Sequence, residues 1–384
     1  METAGTAGTA GLCVQFRMGH AAALGVYAAA MSAQHAGPGP VPVCLVGPRM
    51  MFPARSVEAF RAANPQLQVH WVDYTEPNEL RVARSVGRVG PGEAALEPPL
   101  SETDRAALAK AVALIALDLP GNIAQLAPKL RFVQAVGAGI EWLVAHRLDV
   151  GGVTLCRASG VASSSIAEFV LARVLEVAKH TRRLEQQQRD HVWERRNGST
   201  LAGATFGVVG LGAIGRDSAR LARAFGMRIE ACRRSAQPGD VDPDVDRLWP
   251  AAELDQLLGG CDVVLCSAPA TAATERLFDA GRFAAMRGGA TFVNIARGSL
   301  VDEAALVVSL RSGHLGAAVI DVASQEPPPS DHPFWDAPNL YLSPHCSASF
   351  EDYTERLFRL FLDNLECIKN GIPPSNMVDP GRGY

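Results

Sequence analysis

The sequence predicts an α/β protein of two lobes, in which the larger lobe is a doubly wound parallel sheet. At 384 residues the chain is long for a single domain, which favours two. From residue 205 onward, apolar runs of strand length alternate with helical patterns, as in a parallel sheet covered by helices on both faces. A second alternation of strands and helices, from residue 41 to residue 136, predicts a smaller α/β lobe.

Composition excludes several classes of protein. Hydrophobic residues make up 48% and charged residues 20% of the chain, as in ordinary globular domains. The net charge of −4 gives no basic surface for nucleic acid or for an anionic membrane. No apolar run reaches the roughly 18 residues of a transmembrane helix. The eight cysteines contain no C-x-x-C pair, so we expect buried thiols in a reducing cytoplasm and no metal site.

The first lobe follows an unusual N-terminal segment. Residues 1–40 are rich in alanine and glycine and end in GPGP, and we expect a poorly ordered leader or a start codon assigned too early. The segment Thr75–Leu100 is rich in proline, glycine and glutamate and is interpreted as an insertion or long loop. The predicted elements of the lobe are a helix Pro53–Ala63 and the strands Val41–Val46, Val69–Asp73, Ala111–Leu117 and Leu130–Val136.

A long helix is predicted between the lobes, from Ile166 to Arg189. Ser165 and Glu168 have the spacing of a capping box at its start. A helix of this length is expected to span more than one lobe or to pack against a partner subunit.

The second lobe is organised around a glycine-rich turn between a strand and a helix. Strand Thr205–Val209 runs directly into Gly210-x-Gly212-x-x-Gly215, and an apolar helical pattern follows. Gly210 permits the tight turn, Gly212 allows a pyrophosphate to approach the backbone, and Gly215 allows the helix to pack closely on the strand. Free N–H groups at the helix start favour phosphate. Together with a second strand at Arg228–Cys232, the turn predicts a dinucleotide-binding site.

The elements after this turn continue the alternation. They are predicted as strands Asp262–Ser267, Thr291–Ile295, Gly316–Asp321 and Asn339–Ser343, and helices Ala251–Leu258, Asp302–Ser312 and Tyr353–Ile368. The chain beyond His345 is too short for a regulatory domain, and we expect it to fold back onto the first lobe.

Three polar residues follow predicted strands at their carboxyl ends, where open α/β sheets bind ligands. Arg297 follows TFVNIA, Glu326 follows GAAVIDVA, and His345 follows NLYLS. An arginine can bind a carboxylate through two hydrogen bonds, and a histidine can donate a proton to a carbonyl oxygen as hydride arrives. A nearby glutamate can fix the tautomer of the histidine. We interpret the three residues as a candidate catalytic site.

With these motifs the sequence resembles the D-isomer-specific 2-hydroxyacid dehydrogenases, and among them the glyoxylate/hydroxypyruvate reductase branch. The matching segments lie in family order between about residues 130 and 345: AVGAGIEWL, SGVASSSIAEFVLA, GVVGLGAIGR, VVLCSAPATAATERLF, FVNIARGSLVDEAAL and AAVIDVASQEPPPSDHPFWDAPNLYLSPH. The resemblance implies two Rossmann-like lobes. One is a doubly wound dinucleotide-binding domain over residues 160–345, and the other is a smaller, discontinuous, flavodoxin-like substrate domain over residues 41–159 and 346–384.

The resemblance also implies roles for individual residues. Arg297 would hold the substrate carboxylate, His345 would be the acid/base, and Glu326 would orient His345. A loop of the smaller lobe would offer backbone N–H groups to the carboxylate; it consists of Gly137, Ala138 and Gly139. The cofactor site would be lined by Gly210, Gly212, Ala213, Ile214, Gly215, Ser267, Ala268, Pro269, Thr274, Ile295, Ala296 and Asp321. Here Ser267 stands where a histidine is common in the family.

The expected cofactor is NADP in preference to NAD. Members of the family that use NAD carry an aspartate at the end of the second strand of this domain, where it binds the ribose 2′-OH. This chain has Arg233 and Arg234 there, followed by Ser235. Two arginines suit a 2′-phosphate and offer no acceptor to a free ribose hydroxyl.

The activity that the resemblance implies is the reduction of a small 2-oxoacid, such as glyoxylate or hydroxypyruvate, to the D-2-hydroxyacid. Two alternatives remain open: an enzyme like 3-phosphoglycerate dehydrogenase, and a nucleotide-sensing binding protein like the corepressors that share the fold. Formate dehydrogenases carry a glutamine at the position of Glu326, which argues against that branch. The long helix and the segment Gln186–Trp193 resemble the dimer arm of the family and predict a homodimer.

Overall fold

The computed structural model describes residues 39–85, 89–140, 143, 145–148 and 151–379, which contain two separate parallel sheets. The predicted α/β class with two parallel-sheet lobes is confirmed. The leader predicted over residues 1–40 lies outside the described residues, except for residues 39 and 40. No helix in the described ranges combines the length and the apolar character that crossing a membrane requires.

The smaller sheet has five parallel strands. The strands are β1 (Val41–Val46), β2 (Leu67–Val72), β3 (Ala113–Ala116), β4 (Phe132–Ala135) and β5 (Thr154–Cys156). Of these, β3, β4 and β5 are fully buried and the edge strand β2 is partly exposed. The helices around them are α1 (Ala54–Ala63), α2 (Asn78–Ser85), α3 (Pro91–Ala94), α4 (Glu102–Leu108) and α5 (Ile123–Leu126). The strand order is β2-β1-β3-β4-β5. Along β1, Val43 and Leu45 pack on one face and Cys44 and Val46 on the other, as expected for a strand covered on both sides.

The larger sheet has seven parallel strands. They are β6 (Thr205–Val209), β7 (Arg228–Arg233), β8 (Arg247–Pro250), β9 (Val263–Cys266), β10 (Thr291–Asn294), β11 (Ala317–Ile320) and β12 (Leu340–Leu342). The remaining helices, in chain order, are α6 (Ser163–Lys179), α7 (Thr181–Arg189), α8 (Ala213–Ala224), α9 (Leu254–Gly260), α10 (Ala280–Ala285), α11 (Glu303–Arg311) and α12 (Tyr353–Lys369). The strand order is β12-β11-β10-β9-β6-β7-β8. The chain therefore adds β7 and β8 on one side of β6 and then crosses over to add β9 on the opposite side. The crevice at the carboxyl ends of β6 and β9 is therefore the topological switch point, where such sheets bind ligands.

The last helix, α12, packs on the smaller sheet. Its Phe361 stacks on Phe132 of β4, with ring centroids 5.4 Å apart, and its Phe358 stacks on Phe60 of α1 at 4.2 Å. Leu357 and Ile368 belong to the same apolar cluster. The C-terminal segment therefore returns to the first lobe, although the residue limits given above for the two domains stay predictions.

Three local predictions differ from the structure. The segment 75–100 is not a plain loop, because it contains α2 and α3. The helix predicted over 166–189 is broken at His180, which has the left-handed φ of 55° and separates α6 from α7. The capping box is wrong as well: α6 begins at Ser163, and the Ser165 hydroxyl donates to the carbonyl of Ser347 at 3.3 Å.

Candidate functional site

The turn after β6 requires glycine at its first position. Gly210 has a φ of +100°, a conformation that other residues rarely adopt. A Cβ atom there would lie 2.6 Å from the backbone nitrogen of Ala268, which follows β9. The Ser267 hydroxyl donates to the carbonyl of Gly210 at 2.8 Å. The turn is therefore pressed against the end of β9, and Ser267 fixes it there.

The other two glycines shape the face on which a phosphate can bind. A Cβ on Gly215 would lie 2.6 Å from the carbonyl oxygen of Gly210, so only glycine lets α8 pack so closely on the turn. A Cβ on Gly212 would meet no atom within 4 Å, which leaves an open approach to the backbone. Helix α8 begins at Ala213, directly beside this opening, and Ile214 is half-buried behind it. These residues fit the pyrophosphate of a dinucleotide.

At the end of β7, one carboxylate links two arginines. Arg216, in the first turn of α8, donates to both oxygens of Asp242 at 2.9 and 2.8 Å, and Arg233 Nη1 lies 3.5 Å from Asp242 Oδ2. The hydrogen bond from Arg216 lowers the pKa of Asp242, against the opposing effect of burial. Arg234 is exposed next to them. The sequence did not single out Arg216 or Asp242, although Arg216 directly follows the third glycine.

Four more of the predicted cofactor-lining residues follow two neighbouring strands of the larger sheet. Ala268 and Pro269 follow β9, and Ile295 and Ala296 follow β10. The Thr274 hydroxyl donates to the carbonyl of Pro269 at 2.7 Å, which closes the loop after β9. These positions lie at the same carboxyl edge as the glycine turn.

The loop that carries Arg297 is fixed by a buried asparagine. Asn294, at the end of β10, is 1% exposed. Its Oδ1 accepts from the N–H of Ala296 at 3.0 Å, and its Nδ2 donates to the carbonyl of Arg297 at 2.9 Å. Arg297 Nη1 donates to the carbonyl of Ala296 at 2.7 Å. Sequence reasoning missed Asn294, although a polar residue that ends an otherwise apolar strand is a detectable pattern.

The Arg297 loop is interlocked with the loop after β11. A Cβ on Gly298 would lie 2.0 Å from the carbonyl carbon of Ala323, so these two backbones meet in direct contact. Glu326 lies three residues beyond Ala323, and its Oε1 accepts from the N–H of Ala323 at 3.0 Å. The positions of Arg297 and Glu326 are therefore coupled through the backbone.

His345 and Glu326 form a hydrogen-bonded pair, with 2.8 Å between Nδ1 and Oε2. The side chains are 46% and 39% exposed, so the pair faces an open region. Burial by itself raises the pKa of Glu326, but the hydrogen bond and charge of His345, the N–H of Ala323 and the charge of Arg297 together hold that pKa below its usual value. The structure thus brings together Glu326 and His345 as the sequence predicts, in the loops after the neighbouring strands β11 and β12, with Arg297 in the loop after β10.

Asp321 fastens the backbone on both sides of His345. Its carboxylate accepts from the Ser343 hydroxyl at 2.6 Å and from the N–H groups of Cys346 and Ser347, both at 3.0 Å. Its carbonyl accepts from the N–H of His345 at 2.8 Å, and His345 has the left-handed φ of 50°. Asp321 is 1% exposed. The cofactor-lining role predicted for it stays a prediction, whereas its observed contacts hold His345 in place.

The loop Gly137, Ala138 and Gly139 follows β4, at the carboxyl edge of the smaller sheet. The carbonyl of Gly137 accepts from the N–H of Ala158 at 2.9 Å, and the carbonyl of Val136 accepts from the Tyr353 hydroxyl. Ala138 is exposed at the tip. The loop is therefore held at its start and presents its tip outward.

Comparison with known proteins agrees with this geometry. The profile described as D-isomer specific 2-hydroxyacid dehydrogenase, NAD binding domain, matches residues 171–347. The chain is 29% identical over 260 residues to D-3-phosphoglycerate dehydrogenase of Archaeoglobus fulgidus, a match that covers 67% of this chain and only 49% of that relative. It is 31% identical over 294 residues to glyoxylate/hydroxypyruvate reductase B of Citrobacter koseri, covering 74% of this chain and 90% of that relative. The crystal structure of the NADPH-dependent glyoxylate/hydroxypyruvate reductase of Sinorhizobium meliloti, in complex with NADP and sulfate, has a TM-score of 0.70 at 28% identity and covers 90% of this chain and 100% of that one.

Proposed function

This chain belongs to the D-isomer specific 2-hydroxyacid dehydrogenase family of NAD(P)-dependent oxidoreductases, and we propose that it reduces a small 2-oxoacid to the D-2-hydroxyacid with NADPH. The observation that carries the proposal is the 2.8 Å contact between His345 Nδ1 and Glu326 Oε2, beside the loop of Arg297. That arrangement supplies a proton donor, its orienting carboxylate and a carboxylate-binding cation at one edge of one sheet.

In the proposed mechanism, each residue acts on a different part of the substrate. Arg297 binds the carboxylate and draws electron density from the adjacent carbonyl, and the N–H groups of the Gly137–Gly139 loop contact the same carboxylate from the smaller lobe. NADPH, when bound, supplies the hydride. His345 gives the proton on Nε2 to the carbonyl oxygen, while Glu326 keeps the proton on Nδ1 and balances the imidazolium charge.

The other assignments from the sequence form part of the proposal. The dinucleotide binds along the glycine turn and the loops after β9 and β10, in the domain of residues 160–345. The smaller domain, residues 41–159 and 346–384, closes over the substrate. A cytoplasmic location is proposed together with these functions.

Turnover assays test the substrate class. Glyoxylate, hydroxypyruvate, pyruvate, a bulkier 2-oxoacid and 3-phosphohydroxypyruvate should be compared at fixed NADPH, because relatives include both reductases and a phosphoglycerate dehydrogenase. We expect the highest kcat/KM with glyoxylate or hydroxypyruvate. A clear preference for 3-phosphohydroxypyruvate would favour an enzyme like 3-phosphoglycerate dehydrogenase. NADPH binding without turnover of any oxoacid would favour a nucleotide-sensing protein.

Cofactor choice gives a quantitative prediction. A charge-assisted contact of an arginine with the 2′-phosphate is worth roughly 1.5–3 kcal/mol, so kcat/KM for NADPH should exceed that for NADH by at least about tenfold. Arg233→Asp should reduce or invert this preference and leave KM for the 2-oxoacid nearly unchanged. Arg220→Asp, at an exposed position on α8, provides the control for a change of charge. Equal use of NADH by the unmodified protein would contradict the proposal.

We also propose that the protein is a homodimer that uses α7 and the segment after it. Trp193 is fully exposed, and Val192 and Leu184 are 48% and 43% exposed. Exposure of several large apolar side chains to water is unfavourable, and contact with a partner subunit would bury them. Analytical ultracentrifugation at micromolar concentration should give twice the mass of the chain. Trp193→Glu should shift the protein toward monomer, whereas Trp335→Glu, at another exposed tryptophan, should not. A wild-type monomer would refute the assignment.

A further inference from the structure

A hydrogen bond from the smaller lobe reaches the residue that orients His345. Asn78 Nδ2 donates to the backbone carbonyl of Glu326 at 2.9 Å. Asn78 is the first residue of α2, inside the segment 75–100 whose composition predicts an insertion or long loop. Glu326 is thus held at three atoms: Oε2 by His345, Oε1 by the N–H of Ala323, and the carbonyl oxygen by Asn78. Only the last of these contacts comes from α2 and the smaller sheet.

Helix α2 is fastened to the segments that follow β2 and β3 by ion pairs to two buried carboxylates, Glu76 and Asp118. Arg81 binds both oxygens of Asp118 at 2.9 and 2.6 Å, and Asp118 is 1% exposed. Asp118 also accepts from the N–H of Glu76 at 3.1 Å. One turn further, the guanidinium of Arg84 is buried and donates to Glu76 and to the carbonyl of Leu119. Separating buried partners of this kind is costly, so α2 moves with the smaller sheet as one unit.

We propose that Asn78 is a positioning residue that couples closure of the two lobes to the orientation of Glu326 and, through Glu326, of His345. The inference rests on the function proposed above. Because α2 is fixed to the smaller sheet and Glu326 to the larger one, any opening between the lobes breaks the Asn78 contact. After such an opening, only contacts within the larger lobe hold Glu326. Glu326 and His345 are therefore fully positioned only when the two lobes enclose the substrate.

The chemistry of the contact determines whether each substitution at position 78 keeps, removes or opposes the hydrogen bond. The carbonyl of Glu326 accepts, so the residue at position 78 must donate. Asn78→Ala removes the donor, and Asn78→Asp places an acceptor against an acceptor, which is repulsive. Asn78→Gln keeps the amide donor on a longer side chain. Glu79→Gln changes the adjacent exposed residue of α2 and is the matched control.

The test combines steady-state kinetics with amide hydrogen exchange on the full chain. Asn78→Ala should lower kcat for the 2-oxoacid by about three- to tenfold, the size expected for loss of one hydrogen bond, with KM for NADPH and Tm unchanged. Asn78→Asp should lose more, and Asn78→Gln should recover most of the activity. The amide of Ala323, which donates to Glu326, should exchange faster in Asn78→Ala and not in Glu79→Gln.

The two measurements separate this inference from the proposed function. If the wild type and Glu79→Gln turn over 2-oxoacids and Asn78→Ala matches them in kcat and exchange, Asn78 does not position Glu326. If no variant turns over any 2-oxoacid, the proposed activity fails, and the exchange of the Ala323 amide decides the coupling by itself. Unchanged exchange in Asn78→Ala would then overturn it.

Discussion

Replacing His345 by asparagine should lower kcat for the reduction of the 2-oxoacid by about 10²–10⁴-fold, the range that general acid–base catalysis contributes. Asparagine cannot transfer the proton, but it tolerates the left-handed φ of 50° that His345 adopts, so the backbone of the loop is kept. Steady-state rates with NADPH measure the loss, and fluorescence titration should show unchanged NADPH affinity. Near-normal kcat in this variant would remove His345 from the mechanism.

A change at Glu326 should alter the pH dependence more than the rate. Glu326→Gln keeps an acceptor for the Nδ1 proton but removes the negative charge that balances the imidazolium. Although burial raises it, the contact with His345 holds the pKa of Glu326 below its usual value, so the carboxylate loses its charge only at acid pH. The acid limb of kcat/KM for reduction that reports this protonation should therefore be lost in Glu326→Gln, with a smaller fall in kcat than His345→Asn produces. An unshifted profile would mean that Glu326 exerts no charge effect on the acid.

The parts of the site that the sequence predicts are those that depend on local geometry. The glycine turn is one, because φ at Gly210 and the close approach at Gly215 allow no other residue. The adjacency of Arg297, Glu326 and His345 is another, because each lies in the loop after a strand and parallel strands end at one edge.

The parts that the sequence could not predict depend on contacts between distant segments. Asp242 pairs with Arg216, 26 positions away, and Asn78 contacts Glu326 at a separation of 248. The break at His180 was missed for a different reason, since a left-handed residue that is not glycine leaves no trace in a helical pattern. Segment 75–100 was interpreted by its composition, whereas its helix α2 is stabilised by ion pairs to the smaller sheet.

Replacing Arg297, which is proposed to bind the substrate carboxylate, should give the second large effect. Arg297→Lys keeps the positive charge but loses the planar fork that binds a carboxylate through two hydrogen bonds. KM for the 2-oxoacid should rise by about 10- to 100-fold, which corresponds to roughly 1.5–3 kcal/mol of lost binding, and kcat should also fall because the carbonyl is less polarised.

Two controls decide whether Arg297 acts on the substrate or on the fold. Arg276 is an exposed arginine whose backbone N–H donates to the carbonyl of Ser299, two residues beyond Arg297. Arg276→Lys should leave KM and kcat for the 2-oxoacid near the wild-type values. A 2-oxo compound without a carboxylate should react slowly with the wild type and be little affected by Arg297→Lys, because it offers nothing for the fork to bind. Equal impairment with and without the carboxylate would show that Arg297 supports the loop shaped by Asn294 and Gly298, and that another group holds the substrate.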